Sequence, residues 1–364
     1  METILSILVF ILSLLIVIAT LSSTVRIFVL PRSARDPIAI VVFTALRRLF
    51  YLPARFTSTY QARDRIMAFY APVSLLALLP TWLTLILFGY AGMFRTTGIE
   101  SWRAAFTISG SSLFTLGFAQ GTTVFHTILT FTEATIGLIL VALLIAYLPT
   151  MYNAFSRRER AVTLLEIRAG SPPSAVEMLT RYQRLDRLSE LHEFWEMWEE
   201  WFAEIEESHT SLAALVFFRS PQPEHSWVTA AGAVLDAGAL FASSLDVPRD
   251  PQVELCIRAG FIALRRIADF FGVEYNPNPR FPDDTICITR DEFDEAFDQL
   301  AEAGVPLYPD RDRAWQNFAG WRVNYDAVLL ALARLTMAPY APWISDRSPL
   351  SEGVKRKRRR WIRR

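Results

Sequence analysis

A polar and flexible stretch, "TISGSSLFTLGFAQG", fills residues 107–121 between two long apolar runs. Its Ser112 and Thr115 hydroxyls, together with the backbone carbonyls of an extended segment, are oxygen ligands of the kind that replace the hydration shell of a cation. Gly117 gives that segment backbone angles that residues with a Cβ atom rarely adopt. The negative end of a preceding half-helix also favours a cation. The stretch therefore predicts a cation-binding loop that follows a short helix.

The apolar runs on both sides define the surroundings of this loop. A helix needs ~20 apolar residues to cross a bilayer, and the sequence offers three such runs, at about 4–25, 67–93 and 124–152. The chain is 52% hydrophobic over 364 residues, which is typical of a membrane protein with a soluble part. Non-helical backbone at membrane depth must be covered by protein or water. We therefore predict that the loop re-enters the membrane and lines a pore.

A shorter apolar segment, residues 36–53, contains two adjacent arginines. Asp36 suits the cap of a helix, Pro37 its first turn and Pro53 its end. The segment is too short and too cationic to span comfortably, and its pattern favours a helix lying in the membrane interface. A re-entrant hairpin or a poorly inserted span is the alternative.

On these residues the chain resembles pore-loop potassium channels with two core spans per subunit, whose filter motif reads T-x-T-T-V-G-Y-G-D. The motif falls on residues 112–120, with Thr115 and Gly117 identical. The resemblance covers roughly residues 37–160, and it places Gly137 where the family often has a hinge glycine. It implies K⁺ as the permeant ion, no other cofactor, and a homotetramer, with other ring sizes possible. The filter it implies consists of Thr115, Leu116, Gly117, Phe118 and Ala119.

The sequence departs from the family motif at several positions. Phe114 replaces a small hydroxyl residue, Ala119 the second filter glycine and Gln120 the following acid. The family's glycines hold mirror-image backbone angles, so the resemblance predicts strain at Ala119. Phe118 also lacks the hydroxyl of the family's tyrosine. A non-selective cation pore and a non-conducting membrane scaffold or sensor therefore stay open beside a potassium channel.

Glu133 lies about nine residues into the third apolar run, roughly 13 Å along a helix. An ionisable group at that depth indicates a functional site. We expect it to support the filter by bonding Ser111, Ser112 or Thr115, or by pairing with Arg103. The alternative is a helix that starts later, with Glu133 at the outer mouth.

Two further residues of the third run have alternative interpretations. Pro149 bends the inner helix near a gate or simply ends the helix, and the sequence alone does not decide between them. His126 is expected to lie at the membrane interface, with a pH sensor as the alternative.

From about residue 161 onward the sequence predicts a soluble, helical segment. Trp195, Trp198 and Phe202 recur at helical spacing, which predicts a core stripe, with a ligand-stacking aromatic box as the alternative. Cys256 and Cys287 lack metal-type spacing and are expected to be buried free thiols. The segment contains no H-E-x-x-H, G-x-S-x-G or phosphate loop, so we predict neither an enzyme nor a metal site.

The last ten residues, "KRKRRRWIRR", hold eight cations. In a membrane protein such a run favours attraction to anionic lipid, at ~1 kcal/mol per cation. A merely solvated tail is the alternative, and we predict no binding of nucleic acid.

Together these patterns predict an all-α membrane protein. It would have three transmembrane helices, a re-entrant pore loop, an interfacial slide-like helix and a mainly helical cytoplasmic domain. The distribution of arginines predicts that the N-terminus lies outside and the C-terminal half in the cytoplasm. We expect the spans to lie in a bacterial inner membrane. The predicted segments are a first transmembrane helix at 1–31, an elbow at 32–66, a pore domain at 67–156, a helical domain at 157–345 and a basic tail at 346–364.

Overall fold

A computed structural model describes residues 2–30 and 36–346. Over those residues the fold is all-helical, as predicted, and the β-structure is a single antiparallel bridge between Leu245 and Leu307. The predicted basic tail lies outside the described residues except for Asp346. Contacts divide the chain into two compact units. The first comprises Met1–Phe56 and Ile66–Asn153, and the second comprises Thr57–Arg65 and Ala154–Arg364.

The helices of the N-terminal half are α1 (Glu2–Phe28), α2 (Pro37–Arg55), α3 (Tyr60–Met67), α4 (Tyr70–Thr96), α5 (Trp102–Leu113) and α6 (Val124–Ala169). Several of them are long and apolar enough to cross a membrane. These are α1, α2, α6 and the stretch Tyr60–Thr96 that contains α3 and α4. The chain therefore has the composition of a membrane protein.

Small residues bring α1 and α4 close together. A Cβ atom at Gly89 would lie 2.7 Å from a Val17 methyl group, and one at Gly92 would lie 2.1 Å from Ser13 Oγ. Close approach through small residues is the usual means by which helices associate in lipid. The first apolar helix is thus an integral part of the first unit.

Helix α2 begins as the sequence predicted. Asp36 accepts a hydrogen bond from the Ala39 amide at 2.8 Å, and Pro37 occupies the first turn. Asp36 also accepts a bond from Ser23 of α1, whose hydroxyl in turn accepts one from Trp82 of α4 at 2.9 Å. The prediction that Pro53 ends α2 is wrong, because the helix continues to Arg55.

Helix α6 runs without interruption for 46 residues from the first unit into the second. It passes through Pro149, so the interpretation of Pro149 as the end of the helix is wrong. The contact boundary falls between Asn153 and Ala154, a few residues before the predicted one at 157, and Thr57–Arg65 groups with the second unit.

The second unit continues with α7 (Ala175–Arg184), α8 (Leu191–Ser211), α9 (Trp227–Ser244), α10 (Pro251–Phe271), α11 (Arg290–Glu302), α12 (Arg311–Arg322) and α13 (Asp326–Thr336). Helix α9 is also apolar enough to span a membrane, but 94% of it is buried inside the protein. Protein therefore covers it on all sides, which is the environment of a core helix.

The aromatic stripe of α8 packs into this core. Trp195, Trp198 and Phe202 are fully buried, and Trp195 contacts Phe241 of α9 edge to face. The prediction of a core stripe is therefore confirmed, and the ligand-stacking box is wrong. Cys256 is buried, as predicted, whereas Cys287 is only half-buried, and among the described residues neither forms a disulfide bond.

Candidate functional site

Helix α5 positions the candidate loop. Its N-terminus is capped by Ser101, whose hydroxyl accepts a hydrogen bond from the Ala104 amide at 3.1 Å. Such a cap satisfies an amide that would otherwise lack a partner at the helix start. α5 packs along α4, where the Ser109 hydroxyl lies 2.9 Å from the Leu87 carbonyl oxygen. The C-terminal end of α5 is therefore held beside α4.

The loop starts with a tight C-terminal cap on α5. Thr115 has a left-handed backbone with φ 56°, and its amide donates to the Ser112 carbonyl at 2.9 Å. The next amide, of Leu116, donates to the Ser111 carbonyl at 2.8 Å. These two bonds form a Schellman motif, whose left-handed position is usually glycine. A threonine there costs about 1–2 kcal/mol, and the sequence did not indicate it.

Ser111 receives three amides of the loop. Its carbonyl oxygen accepts from Leu116 at 2.8 Å and from Gly117 at 3.3 Å. Its hydroxyl accepts from Ala119 at 3.0 Å. A single buried residue near the end of α5 thus holds three amides of the loop. The role of Ser111 in supporting a filter stays a prediction.

These bonds also set the direction of the loop carbonyls. The N–H and C=O groups of one trans peptide point in opposite directions. The three amides point towards Ser111, and the carbonyls of the same peptides are those of Thr115, Leu116 and Phe118. The carbonyl oxygens of these three peptides are therefore directed away from Ser111.

The predicted strain at Ala119 does not occur. Among the described residues with positive φ are Gly117, at 72°, and Thr115, but not Ala119. Ala119 instead has an ordinary φ and an amide bonded to Ser111. In this loop the left-handed backbone angles fall on residues 115 and 117, and position 119 needs no glycine.

The apolar side chains of the loop are exposed. Phe114, Leu116 and Phe118 are 51%, 62% and 68% exposed. Apart from Gly117 and its two chain neighbours, no atom of the described residues lies within 4 Å of the place where a Gly117 side chain would begin. The loop thus combines exposed apolar side chains with backbone carbonyls directed away from Ser111.

Glu133 is buried against α5, although not against the predicted partners. Its Oε1 lies 2.5 Å from the Ser109 hydroxyl, and the residue is fully buried. The helix begins at Val124, so the alternative of a later start with Glu133 at the outer mouth is wrong. A contact with Ser109 was missed because serine is a common residue with no sequence signal of its own.

Ser112 and Arg103, which were also predicted to support the filter, form no hydrogen bond with Glu133. Ser112 is buried and donates its hydroxyl proton to the Ile108 carbonyl at 2.8 Å, within its own helix. Arg103 is exposed near the start of α5. The predicted bonds from Glu133 to Ser111, Ser112, Thr115 or Arg103 are therefore wrong.

Gly137 lies where α6 meets the end of α5. A Cβ atom at this position would lie 2.3 Å from the Leu113 carbonyl oxygen. The glycine is required for close approach between the two helices, which gives it a packing role. Its predicted role as a hinge, and that of Pro149 as part of a gate, stay predictions.

His126 connects the start of α6 with the residues that follow α4. It is almost fully buried, and its Nε2 lies 3.2 Å from the Thr97 carbonyl oxygen just after α4. Gly121 packs directly on its side chain, since a Cβ atom there would lie 2.2 Å from His126 Cβ. His126 therefore packs the start of α6 against Gly121 of the loop and Thr97.

Within residues 2–30 and 36–346, no group of three or more His, Cys, Asp or Glu side chains could hold a metal ion. The oxygen ligands available at the loop are backbone carbonyls, which suit a hard cation such as K⁺ or Na⁺. No family model, no curated protein and no solved structure matches the chain.

Proposed function

We propose that the protein is a homo-oligomeric cation channel that resembles potassium channels. Helices α1, α4 and α6 cross the membrane, α2 lies in the interface, and the chain between α4 and α6 forms a re-entrant pore loop. The N-terminus faces outward and the second unit lies in the cytoplasm, in a bacterial inner membrane. The filter residues are Thr115, Leu116, Gly117, Phe118 and Ala119.

The depth of α5 supports a re-entrant loop. Its last residue, Leu113, contacts Gly137, which lies thirteen residues after the start of α6 at Val124. That distance is about 20 Å at 1.5 Å per residue, well over half of a ~30 Å hydrocarbon core. The ten residues from 114 to 123 then return to the start of α6, which an extended segment of ~3.3 Å per residue spans easily.

The hydrogen bonds from the loop amides to Ser111 are the observation that carries the proposal. The Thr115, Leu116 and Phe118 carbonyls point away from Ser111 because their peptides donate to it. At membrane depth such oxygens require a cation, water or protein as partner. A row of carbonyls that replaces the hydration shell of a monovalent cation is the arrangement of a selectivity filter.

One loop cannot enclose an ion, so several copies must surround an axis. Four copies follow from the resemblance, and cyclic symmetry makes all loops equivalent. The exposed Phe114, Leu116 and Phe118 side chains give neighbouring copies an apolar surface to bury. K⁺ is the permeant ion that the resemblance favours. Anionic lipid around the basic tail is the second proposed partner.

The conformation of Ala119 favours a second candidate, a non-conducting membrane scaffold or sensor with the same loop. Its ordinary φ means that the outer part of the loop departs from the family's repeating angles. Conduction by the purified protein distinguishes the two candidates.

The test is ion flux through purified protein in liposomes with Gly117→Val. The substitution combines a positive φ with a bulky side chain in the row of carbonyls, and we expect flux to be abolished while the oligomer still assembles. Gly98→Val is the matched control, because Gly98 also has positive φ, at 115°, and open space, but lies in the turn before α5. Normal flux in Gly117→Val would show that this loop is not the filter.

A further inference from the structure

The Ser109 hydroxyl has two oxygen neighbours but only one hydrogen. Its Oγ lies 2.9 Å from the Leu87 carbonyl oxygen of α4 and 2.5 Å from Glu133 Oε1 of α6. A carbonyl oxygen only accepts, and so does an ionised carboxylate. With Glu133 ionised, one of the two contacts would contain no hydrogen. With Glu133 protonated, each contact contains one.

The second carboxyl oxygen supports the same protonation state. Glu133 Oε2 is buried and has no hydrogen-bond partner among the residues that the structure describes. An ionised carboxylate buried with one oxygen unsatisfied is far more costly than a neutral acid, whose carbonyl oxygen carries much less charge.

Other charged and titratable groups on the adjoining helices do not neutralise Glu133. Arg103 of α5 is exposed, and Arg95 of α4 donates to the Ile99 carbonyl oxygen. His126 lies two turns earlier on α6 and contacts Thr97. Tyr90 of α4 directs its hydroxyl to Thr132 at 3.1 Å. Among the described residues, none forms an ion pair with Glu133.

We infer that Glu133 is a neutral carboxylic acid that donates its proton to Ser109, while the Ser109 hydroxyl donates to the Leu87 carbonyl. This chain of two hydrogen bonds joins α6, α5 and α4 at the helix that supports the loop. Glu133 is accordingly a positioning residue. A consequence for conduction, which rests on the proposed function, is that Glu133 adds no negative charge near the ion path.

Infrared spectroscopy of the purified full-length protein tests the protonation directly. At neutral pH we expect a carboxylic-acid C=O band in the wild type that is lost in Glu133→Gln. A difference spectrum in which Glu133→Gln loses only carboxylate bands would overturn the inference. Should Glu133→Gln fail to fold, Ser109→Ala in protein with isotope-labelled glutamate provides the second measurement, in which the acid band should shift as its acceptor is removed. An acid band that does not shift would overturn the bond to Ser109.

Function provides a further readout of the positioning role. Glutamine retains a donor for Ser109 and carries no charge, so Glu133→Gln should leave the thermal midpoint and ion flux unchanged, while Glu133→Ala should lower the midpoint. A selective loss of cation flux in Glu133→Gln, with an unchanged midpoint, would contradict a neutral acid. Absence of flux in the wild type would overturn the proposed function and leave the infrared result intact.

Discussion

The two units of the molecule satisfy their buried polar groups in different ways. Around α5 in the first unit, the Ser109 hydroxyl bonds to the Leu87 carbonyl oxygen and to Glu133, and the Ser111 hydroxyl accepts a bond from the Ala119 amide. The second unit instead buries full charges in pairs. Arg322 is fully buried and binds Asp236, Asp326 at 2.7 Å and the Trp343 carbonyl oxygen at 2.7 Å.

This difference fits the two solvents that the units are proposed to meet. In lipid an unpaired charge cannot be hydrated. A neutral network of hydroxyl groups therefore has the lower free energy there. In a water-soluble domain a buried ion pair is tolerated when hydrogen bonds satisfy both partners. The second unit should therefore be most sensitive to loss of a charge, and the first to loss of close packing.

The largest expected effect is on the charge network of the second unit. Arg322→Ala leaves Asp236 buried without its cation, and we expect a loss of about 3–5 kcal/mol in the free energy of unfolding. Arg249→Ala, which removes an exposed pair with Glu254, is the control and should cost under about 1 kcal/mol. Chemical denaturation of the detergent-solubilised protein measures both. Similar losses in the two variants would contradict the expectation that loss of a buried charge destabilises the second unit more than loss of an exposed one.

The contact between α5 and α6 should be the corresponding weak point of the first unit. Gly137→Ala places a Cβ atom against the Leu113 carbonyl oxygen, and overpacking of this kind costs about 1–3 kcal/mol. Gly110→Ala on α5 is the control, because its nearest neighbour, Leu87 Cδ1, would lie at an ordinary 3.6 Å. A lower thermal midpoint in Gly137→Ala alone supports the packing role, whereas equal midpoints would argue against it.

The smallest expected effect is a pH dependence of the second unit. Burial, with the nearby Arg158 guanidinium, lowers the pKa of His209 well below its usual value, and Arg158 Nη1 lies 3.4 Å from His209 Nε2. The folded state thus holds the neutral ring, while the unfolded chain takes up a proton below about pH 6.5. Stability from this group is present above that pH and is lost as pH falls, by at most about 1.4 kcal/mol per pH unit.

His209→Gln should remove this component of the acid sensitivity. The pKa of the exposed His192 is raised by its bond to Asp250, so His192→Gln should change the pH dependence in the opposite sense. Unfolding free energies of the three proteins between neutral pH and pH 5 are the measurement. An unchanged pH profile in His209→Gln would contradict the neutral buried histidine.

The sequence predicted features that depend on local pattern. Apolar runs located α1, α4 and α6, Asp36 and Pro37 marked the start of α2, and the spacing of Trp195 and Trp198 indicated a buried face. Contacts between residues that are far apart in the sequence were not predicted. The pairing of Ser109 with Glu133 and of Asp236 with Arg322 depends on tertiary packing, and serine or aspartate alone carries no signal of its partner.

The backbone conformation of the loop could likewise be predicted only in part from the sequence. Glycine at position 117 correctly indicated a left-handed backbone, since glycine adopts it without cost. The left-handed Thr115 and the ordinary Ala119 were not foreseen, because the Schellman cap and the Ser111 hydroxyl set those angles. Backbone conformation there follows from hydrogen bonds to α5 more than from residue type.

The central claim is that the loop after α5 conducts cations. Its most direct test is flux through the purified wild-type protein in liposomes, with K⁺, Na⁺ and Cl⁻ gradients compared in parallel and Gly117→Val as the blocked reference. We predict K⁺ flux well above Cl⁻ flux and its loss in Gly117→Val. Chloride flux equal to K⁺ flux, or cation flux that persists in Gly117→Val, would contradict the claim.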